Sequence, residues 1–178
     1  MTESLAQHLV EFFGTTIPAN WTIFIISLLP ILELRGGLIA AALLKVPFWK
    51  AFLICYLGNI IPIPFIVFLI EKIFVWLSKY KFFAKIINKL QARAEKNRQK
   101  IMKYEEWGLL LFVAIPLPGT GGWTGSLFAA LLGLDKKKSI PIIMLGVLIA
   151  GIIMTIFTYL VPGLAEGKTL SEIFLASA

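Results

Sequence analysis

Residues 115–126 read Ile-Pro-Leu-Pro-Gly-Thr-Gly-Gly-Trp-Thr-Gly-Ser and lie in the middle of an apolar run, 107–134, that carries no charge. Two prolines and four glycines in this stretch preclude a continuous helix. Proline removes a backbone donor and clashes with the preceding turn, and glycine loses the most entropy when held helical. The run is nevertheless oily and long enough for a membrane. Lipid cannot satisfy open N–H and C=O groups, so broken backbone at that depth must be lined by protein or by a water-filled cavity. The stretch therefore reads as a re-entrant tip or a discontinuous helix, and transporters bind their substrates at such places.

The break has a counterpart. Shifted by 88 residues without a gap, 28–68 lies over 116–156 with twelve identities in 41 positions. Pro30 meets Pro118, Gly37 meets Gly125, Lys50 meets Lys138 and Gly58 meets Gly146. Apolar residues match cheaply in membrane sequences, so the aligned Pro, Gly and Lys carry the case for an internal repeat.

Composition bounds the class. Hydrophobic residues make up 58% of the chain and the mean hydropathy is +0.87, too high for a soluble domain of 178 residues. Three charge-free runs, 51–70, 107–134 and 139–165, reach the length of a membrane span. The single cysteine, Cys55, excludes an intrachain disulfide, and the single histidine, His8, reads as an interfacial residue. Neither a metal centre nor a cofactor is expected. No basic residue precedes the first apolar run, so the N-terminus does not read as a secretory signal.

In chain order, residues 1–14 are expected to form an amphipathic helix at the membrane interface, with Leu5, Leu9, Phe12 and Phe13 on one side. Residues 18–77 form the first repeat. Two short apolar pieces, 21–29 and 38–44, flank Pro30 and Gly36-Gly37, which suits a re-entrant hairpin; a tilted, broken span is the alternative. A span then follows, which Pro62 and Pro64 kink near its middle. Residues 78–106 are expected to form a basic amphipathic helix with a narrow seam from Phe83 to Tyr104, either a coiled-coil stripe or a helix lying on headgroups. Residues 107–165 form the second repeat, ended by Pro162-Gly163.

Lys and Arg collect in cytoplasmic loops. Placing 72–103 in the cytoplasm puts the turn Lys136-Lys137-Lys138 there too, so thirteen of the seventeen basic residues lie inside and both termini outside. One crossing per half gives the halves opposite orientations, as in secondary transporters.

Two ionisable residues, Glu33 and Arg35, sit inside the apolar field at the first break. Intramembrane charges are costly and line pathways or pair with one another. One reading is a proton-carrying carboxylate beside an anion-binding guanidinium; the others are a structural ion pair, or a break that lies shallow among headgroups. The second break carries no charge. It offers the backbone of Gly119, Gly121 and Gly122, the hydroxyls of Thr120, Thr124 and Ser126, and a helix start near Trp123 whose positive end suits an anion. Gly122 and Gly125 also suit close helix packing.

Glu-Leu-Arg-Gly-Gly at 33–37, Pro-Leu-Pro-Gly-Thr-Gly-Gly-Trp-Thr-Gly-Ser at 116–126 and Leu-Leu-Gly-Leu at 131–134 resemble the small multi-drug export protein family over most of the chain. That family is similar in plan to the DedA superfamily, whose members are described with two re-entrant hairpins in inverted repeats and with proton-dependent movement of lipid carriers. The resemblance implies the acidic hairpin role for Glu33. The arginines of the second DedA hairpin have no match here, since 116–126 contains none.

The expectation is an all-α, multi-pass inner-membrane protein of two inverted repeats, each a re-entrant hairpin plus a transmembrane helix. Its function is transport of an amphiphile or lipid headgroup, with Glu33 as proton carrier and with Arg35, Gly119, Thr120, Gly121, Gly122, Trp123, Thr124 and Ser126 as the substrate site where the tips meet. Protons and membrane lipids are the expected partners, with a second copy of the chain admitted and nucleic acid excluded. A non-transporting scaffold is the alternative class. An enzyme is not expected, because no nucleophile–base pair or phosphate-binding loop is present. The topology predicts that Arg98→Cys resists an impermeant thiol reagent applied to intact cells; ready labelling reverses the orientation.

Overall fold

The structure is a computed structural model and describes residues 7–8, 10–12, 17–77, 79, 98–117 and 119–167. Among them every regular element is helical: α1 (Ala19–Leu28), α2 (Glu33–Leu43), α3 (Phe48–Ile60), α4 (Pro62–Leu77), α5 (Arg98–Ala114), α6 (Gly122–Leu131), α7 (Lys136–Thr155), a π-helical turn (Ile156–Leu160) and α8 (Val161–Ala165). Of the N-terminal segment 1–14, the described residues 7–8 and 10–12 are helical. Most of the basic segment 78–106, including its seam from Phe83 to Asn97, lies outside the described residues, as does Pro118. The end of that segment is helical and runs without a break into the second hairpin as the first turns of α5.

Two helical runs are long and apolar enough to cross a membrane: Phe48–Ile70 and Lys136–Ala165. The first is interrupted at Ile61, where Pro62 cannot donate a helical hydrogen bond. The second starts earlier than the sequence suggests. Asp135 accepts from the Lys137 amide at 2.9 Å and nucleates the helix ahead of Ser139. It also ends later, because Pro162 does not stop it. The π turn before the proline shifts the hydrogen-bond register where an amide is missing, and the helix continues to Ala165.

The exposed faces of these runs are apolar. Leu53, Leu57, Ile61, Phe65 and Leu69 recur about every helical turn along the first, and Ile73 and Trp76 continue the stripe to the end of α4, all exposed. Leu145, Ile152, Ile156, Val161 and Leu164 are exposed along the second. A soluble protein keeps polar residues on such faces, whereas hydrocarbon outside the helices makes the apolar stripe favourable.

The chain divides into two compact units: Met1–Ile61 with Val147–Ala178, and Pro62–Gly146. Each unit thus holds one hairpin and one part of each long helix. In the first unit α1 and α2 pack on each other and on α3. A Cβ on Gly37 would collide with Ser27 and with Cys55 Sγ (2.9 Å), and one on Gly58 would strike Phe24 O (2.8 Å) and Ser27 Cβ (3.1 Å). In the second unit the residues 88 positions on are crowded in the same way. A Cβ on Gly125 would meet Val113 Cγ2 at 2.5 Å and Ile143 Cγ1 at 3.8 Å, and one on Gly146 would meet Val113 Cβ at 2.7 Å and Leu110 O at 3.2 Å. Ile143 is Cys55 shifted by 88; Val113 and Leu110 are Ser27 and Phe24 shifted by 86. The offset changes across the breaks, 29–32 in the first hairpin and the longer 115–121 in the second.

Both hairpins also end alike. Lys45 N–H donates to Ala42 O (3.1 Å) and Val46 N–H to Ala41 O (2.9 Å); Gly133 donates to Ala130 O (3.2 Å) and Leu134 to Ala129 O (3.0 Å). These are Schellman closures, with the left-handed residue at Lys45 (φ 53°) in one and Gly133 (φ 65°) in the other. Because the repeated glycines sit where helices touch, Gly37→Val and Gly125→Val should each destabilise the protein by about 1–3 kcal/mol. Gly108→Ala, at a site with nothing within 4 Å, should be neutral or slightly stabilising. Unfolding of the detergent-solubilised variants measures all three.

Candidate functional site

The first break is built by Pro30. The residue before a proline is pushed out of the helical region, and Leu29 accordingly leaves α1 in extended conformation (φ −74°, ψ 135°). A single turn follows, closed by Glu33 N–H donating to Leu29 O at 2.8 Å. Glu33 then takes φ 51° and redirects the chain into α2. Its side chain is 4% exposed, between the buried Leu32 and Leu34. The half-buried Arg35 guanidinium lies within electrostatic reach of the Glu33 carboxylate. The carboxylate also stands in the first turn of α2, where the helix dipole favours negative charge.

The second break is held by Thr120. Its Oγ1 lies 2.7 Å from Ile115 O and 2.8 Å from Leu117 O, donates to one of them at a time, and accepts from Leu117 N–H at 3.2 Å. Gly119 (φ 85°) and Gly121 (φ 143°) supply the left-handed backbone. α6 starts at Gly122, close to the start expected at Trp123, and its N-cap Gly121 has no side chain with which to bond the first amides. Thr124 donates back to Gly121 O (3.4 Å) and the fully buried Ser126 to Gly122 O (2.6 Å). All three hydroxyls therefore spend their protons inside the segment, and what they retain for a ligand is acceptor capacity. The donors this segment can offer an anion are backbone amides and the buried Trp123 indole N–H.

Glu33 and Arg35 are together in the first unit, and 119–126 belong to the second. The two breaks share one backbone feature: Glu33 is matched at the 88-residue offset by Gly121, and both have positive φ. Lys45 and Gly133 form the other such pair. A left-handed glycine costs nothing, whereas a glutamate there carries strain of order ~1 kcal/mol. At Lys45 the side chain is exposed; at Glu33 an ionisable group is buried as well as strained. Two further buried polar groups were not singled out from the sequence. Asn59 Oδ1 and Ser139 Oγ have no hydrogen-bond partner among the described residues. Asn59, an amide within the charge-free run 51–70, was the available signal. No group of His, Cys, Asp and Glu among the described residues could hold a metal ion.

Helices with apolar exposed faces, two of them of membrane-spanning length, and a buried ionisable residue at a helix break define a helical membrane protein. It belongs to the family described as "Putative small multi-drug export protein", whose model matches residues 33–153, more than half of the chain. The match begins at Glu33 itself. No curated protein and no solved structure matches the chain.

If the left-handed backbone at position 33 is tolerated for the sake of the carboxyl group, removing that group should expose the strain. Glu33→Gly and Glu33→Ala both delete the carboxylate, but only glycine relaxes at φ 51°. Glu33→Gly should therefore be more stable than Glu33→Ala by about 1 kcal/mol in the same unfolding assay.

Proposed function

We propose that this protein is a proton-coupled secondary exporter of amphiphilic molecules, with Glu33 as the group that takes up and releases the proton. The observation that carries the reading is the glutamate itself. It is buried, strained and placed at a helix break where the equivalent position is glycine. Burial opposes its charge, while Arg35 and the α2 N-terminus favour it. A carboxyl balanced in this way changes protonation when its access to water changes, which is what alternating exposure to the two sides of a membrane requires. Arg35 holds an anionic group of the substrate, and the amides at the start of α6 offer a second anion-binding element. The family's description, which names multi-drug export, supports export as the direction. The chemistry is translocation and not catalysis.

The recurrence of Gly37, Gly58 and the Schellman closure at 125, 146 and 133 supports two structurally equivalent repeats. In the proposed topology these are inverted re-entrant hairpins in the inner membrane, a plan similar to that of DedA proteins, with 72–103 and 136–138 in the cytoplasm. An ion pair within the second unit, Lys138 Nζ to Glu106 Oε1 at 3.4 Å, supports placing the ends of the basic segment and of the lysine turn on one side. A second copy of the chain remains a proposed partner.

The test is transport in proteoliposomes under an imposed pH gradient. Glu33→Gln keeps size and hydrogen-bonding capacity but cannot titrate, so it should insert normally and lose proton-dependent transport. Arg35→Ala should weaken an anionic substrate by about 1.5–3 kcal/mol, roughly tenfold or more, while some proton dependence survives. A well-folded Glu33→Gln protein with wild-type, proton-dependent transport removes Glu33 from the mechanism. Equal loss of expression in both variants makes the two residues a structural pair.

A further inference from the structure

A groove in the first unit lies apart from Glu33 and Arg35. It has a volume of about 470 Å³ and is lined by α3 and by the end of the second long helix, including Phe48, Trp49, Phe52, Ile152, Ile156 and Tyr159. That volume falls within the range of small-molecule sites. One wall is the π-helical turn, a distortion that recurs at functional positions. The two hydroxyls in the lining are already satisfied. Tyr159 donates its hydroxyl to Val46 O at 3.1 Å and Thr155 to Gly151 O at 2.8 Å. The tyrosine ring, set edge-on to Phe48 with centroids 6.4 Å apart, shows the groove only carbon. Such a lining makes no polar demand and suits an aliphatic chain.

Lysines flank, in sequence, the start of the helix that forms one wall of the groove. Phe48 and Trp49 open α3, directly between Lys45 and Lys50, and the bond from Tyr159 to Val46 ties the groove wall to the same turn. No lining residue is acidic. Aromatic residues with lysines at the start of a span sit at headgroup level, where an ammonium meets lipid phosphate. The rival occupant is a lipophilic cation over the aromatic rings. The second unit displays that chemistry at the corresponding positions, where Lys136 Nζ lies 5.6 Å from the centre of the Phe68 ring. Two lysines flanking the start of α3 and the lack of a carboxylate in the lining oppose it.

We propose that this groove binds a resident anionic phospholipid, with one acyl chain along Phe52, Ile152 and Ile156 and the headgroup phosphate at Lys45 and Lys50. The lipid is held and not exported, so the proposal stands whether or not Glu33 couples transport to protons.

The test uses the full chain in bilayers containing phosphatidylglycerol or phosphatidylcholine with brominated acyl chains. Bromine quenches nearby tryptophan, and the difference from Trp49→Phe isolates the Trp49 signal. At equal mole fraction, brominated phosphatidylglycerol should quench Trp49 more than brominated phosphatidylcholine. Lys45→Gln with Lys50→Gln should abolish that preference, a loss of roughly tenfold or more in relative affinity. Ile152→Phe, which fills the groove from an exposed position, should reduce quenching by both lipids. Equal quenching by the two lipids in the unmodified protein overturns the headgroup assignment. Quenching insensitive to Ile152→Phe overturns the acyl-chain site. Relief of quenching by tetraphenylphosphonium, undiminished phosphatidylglycerol preference notwithstanding, assigns the groove to a cation and overturns the proposal.

Discussion

The structure depends on how backbone hydrogen bonds are satisfied where helices break among apolar residues. Hydrocarbon offers no partner for an open amide or carbonyl, so each interruption must close on itself. Leu29 O is taken by the Glu33 amide at the first break. At the second, the Thr120 hydroxyl serves Ile115 O, Leu117 O and the Leu117 amide. Both hairpins end in Schellman closures, and the last helix passes Pro162 by way of a π turn. Chemistry becomes possible at these places because only there does the backbone turn functional groups away from a helix ladder.

Much of this was legible in the sequence, for physical reasons. Proline and glycine act locally, so the breaks at Pro30 and at 115–121 could be located, and helices starting near Trp123 and interrupted near Pro62 followed. Gly37 and Gly125, and Gly58 and Gly146, lie 88 residues apart and are each fixed by contact: a Cβ at any of them meets a neighbouring helix. What escaped depends on conformation that composition does not encode. Nothing in the residue type of Glu33 announces a left-handed backbone; only Gly121 at the equivalent position hints at it. Thr120, Thr124 and Ser126 read as ligand-facing hydroxyls, yet each donates to a carbonyl of its own segment. Proline rules placed the end of the last helix at Pro162, but a π turn outweighed them. The groove between Phe52 and Ile152 joins residues 100 positions apart and has no linear signature.

The comparison of the two breaks separates structural from chemical demand. Where only the turn matters, the chain uses glycine, as at Gly121 and Gly133, or an exposed lysine, as at Lys45. At Glu33 it accepts both a disfavoured φ and the burial of an ionisable group. Arg35 and the α2 N-terminus limit the cost without removing it. A site that departs from local preference at one residue, while its structural counterpart does not, is where function is most economically placed.

The central claim is that the Glu33 carboxyl exchanges a proton while buried in the folded protein. Infrared difference spectroscopy of the protein in lipid, stepped through pH, reads the protonated carboxyl C=O stretch directly, and Glu33→Gln identifies the Glu33 contribution. The account predicts a carboxyl band that appears and disappears reversibly with pH and is missing from Glu33→Gln. A spectrum unchanged by that substitution, with Glu33 locked in one protonation state throughout, would contradict it.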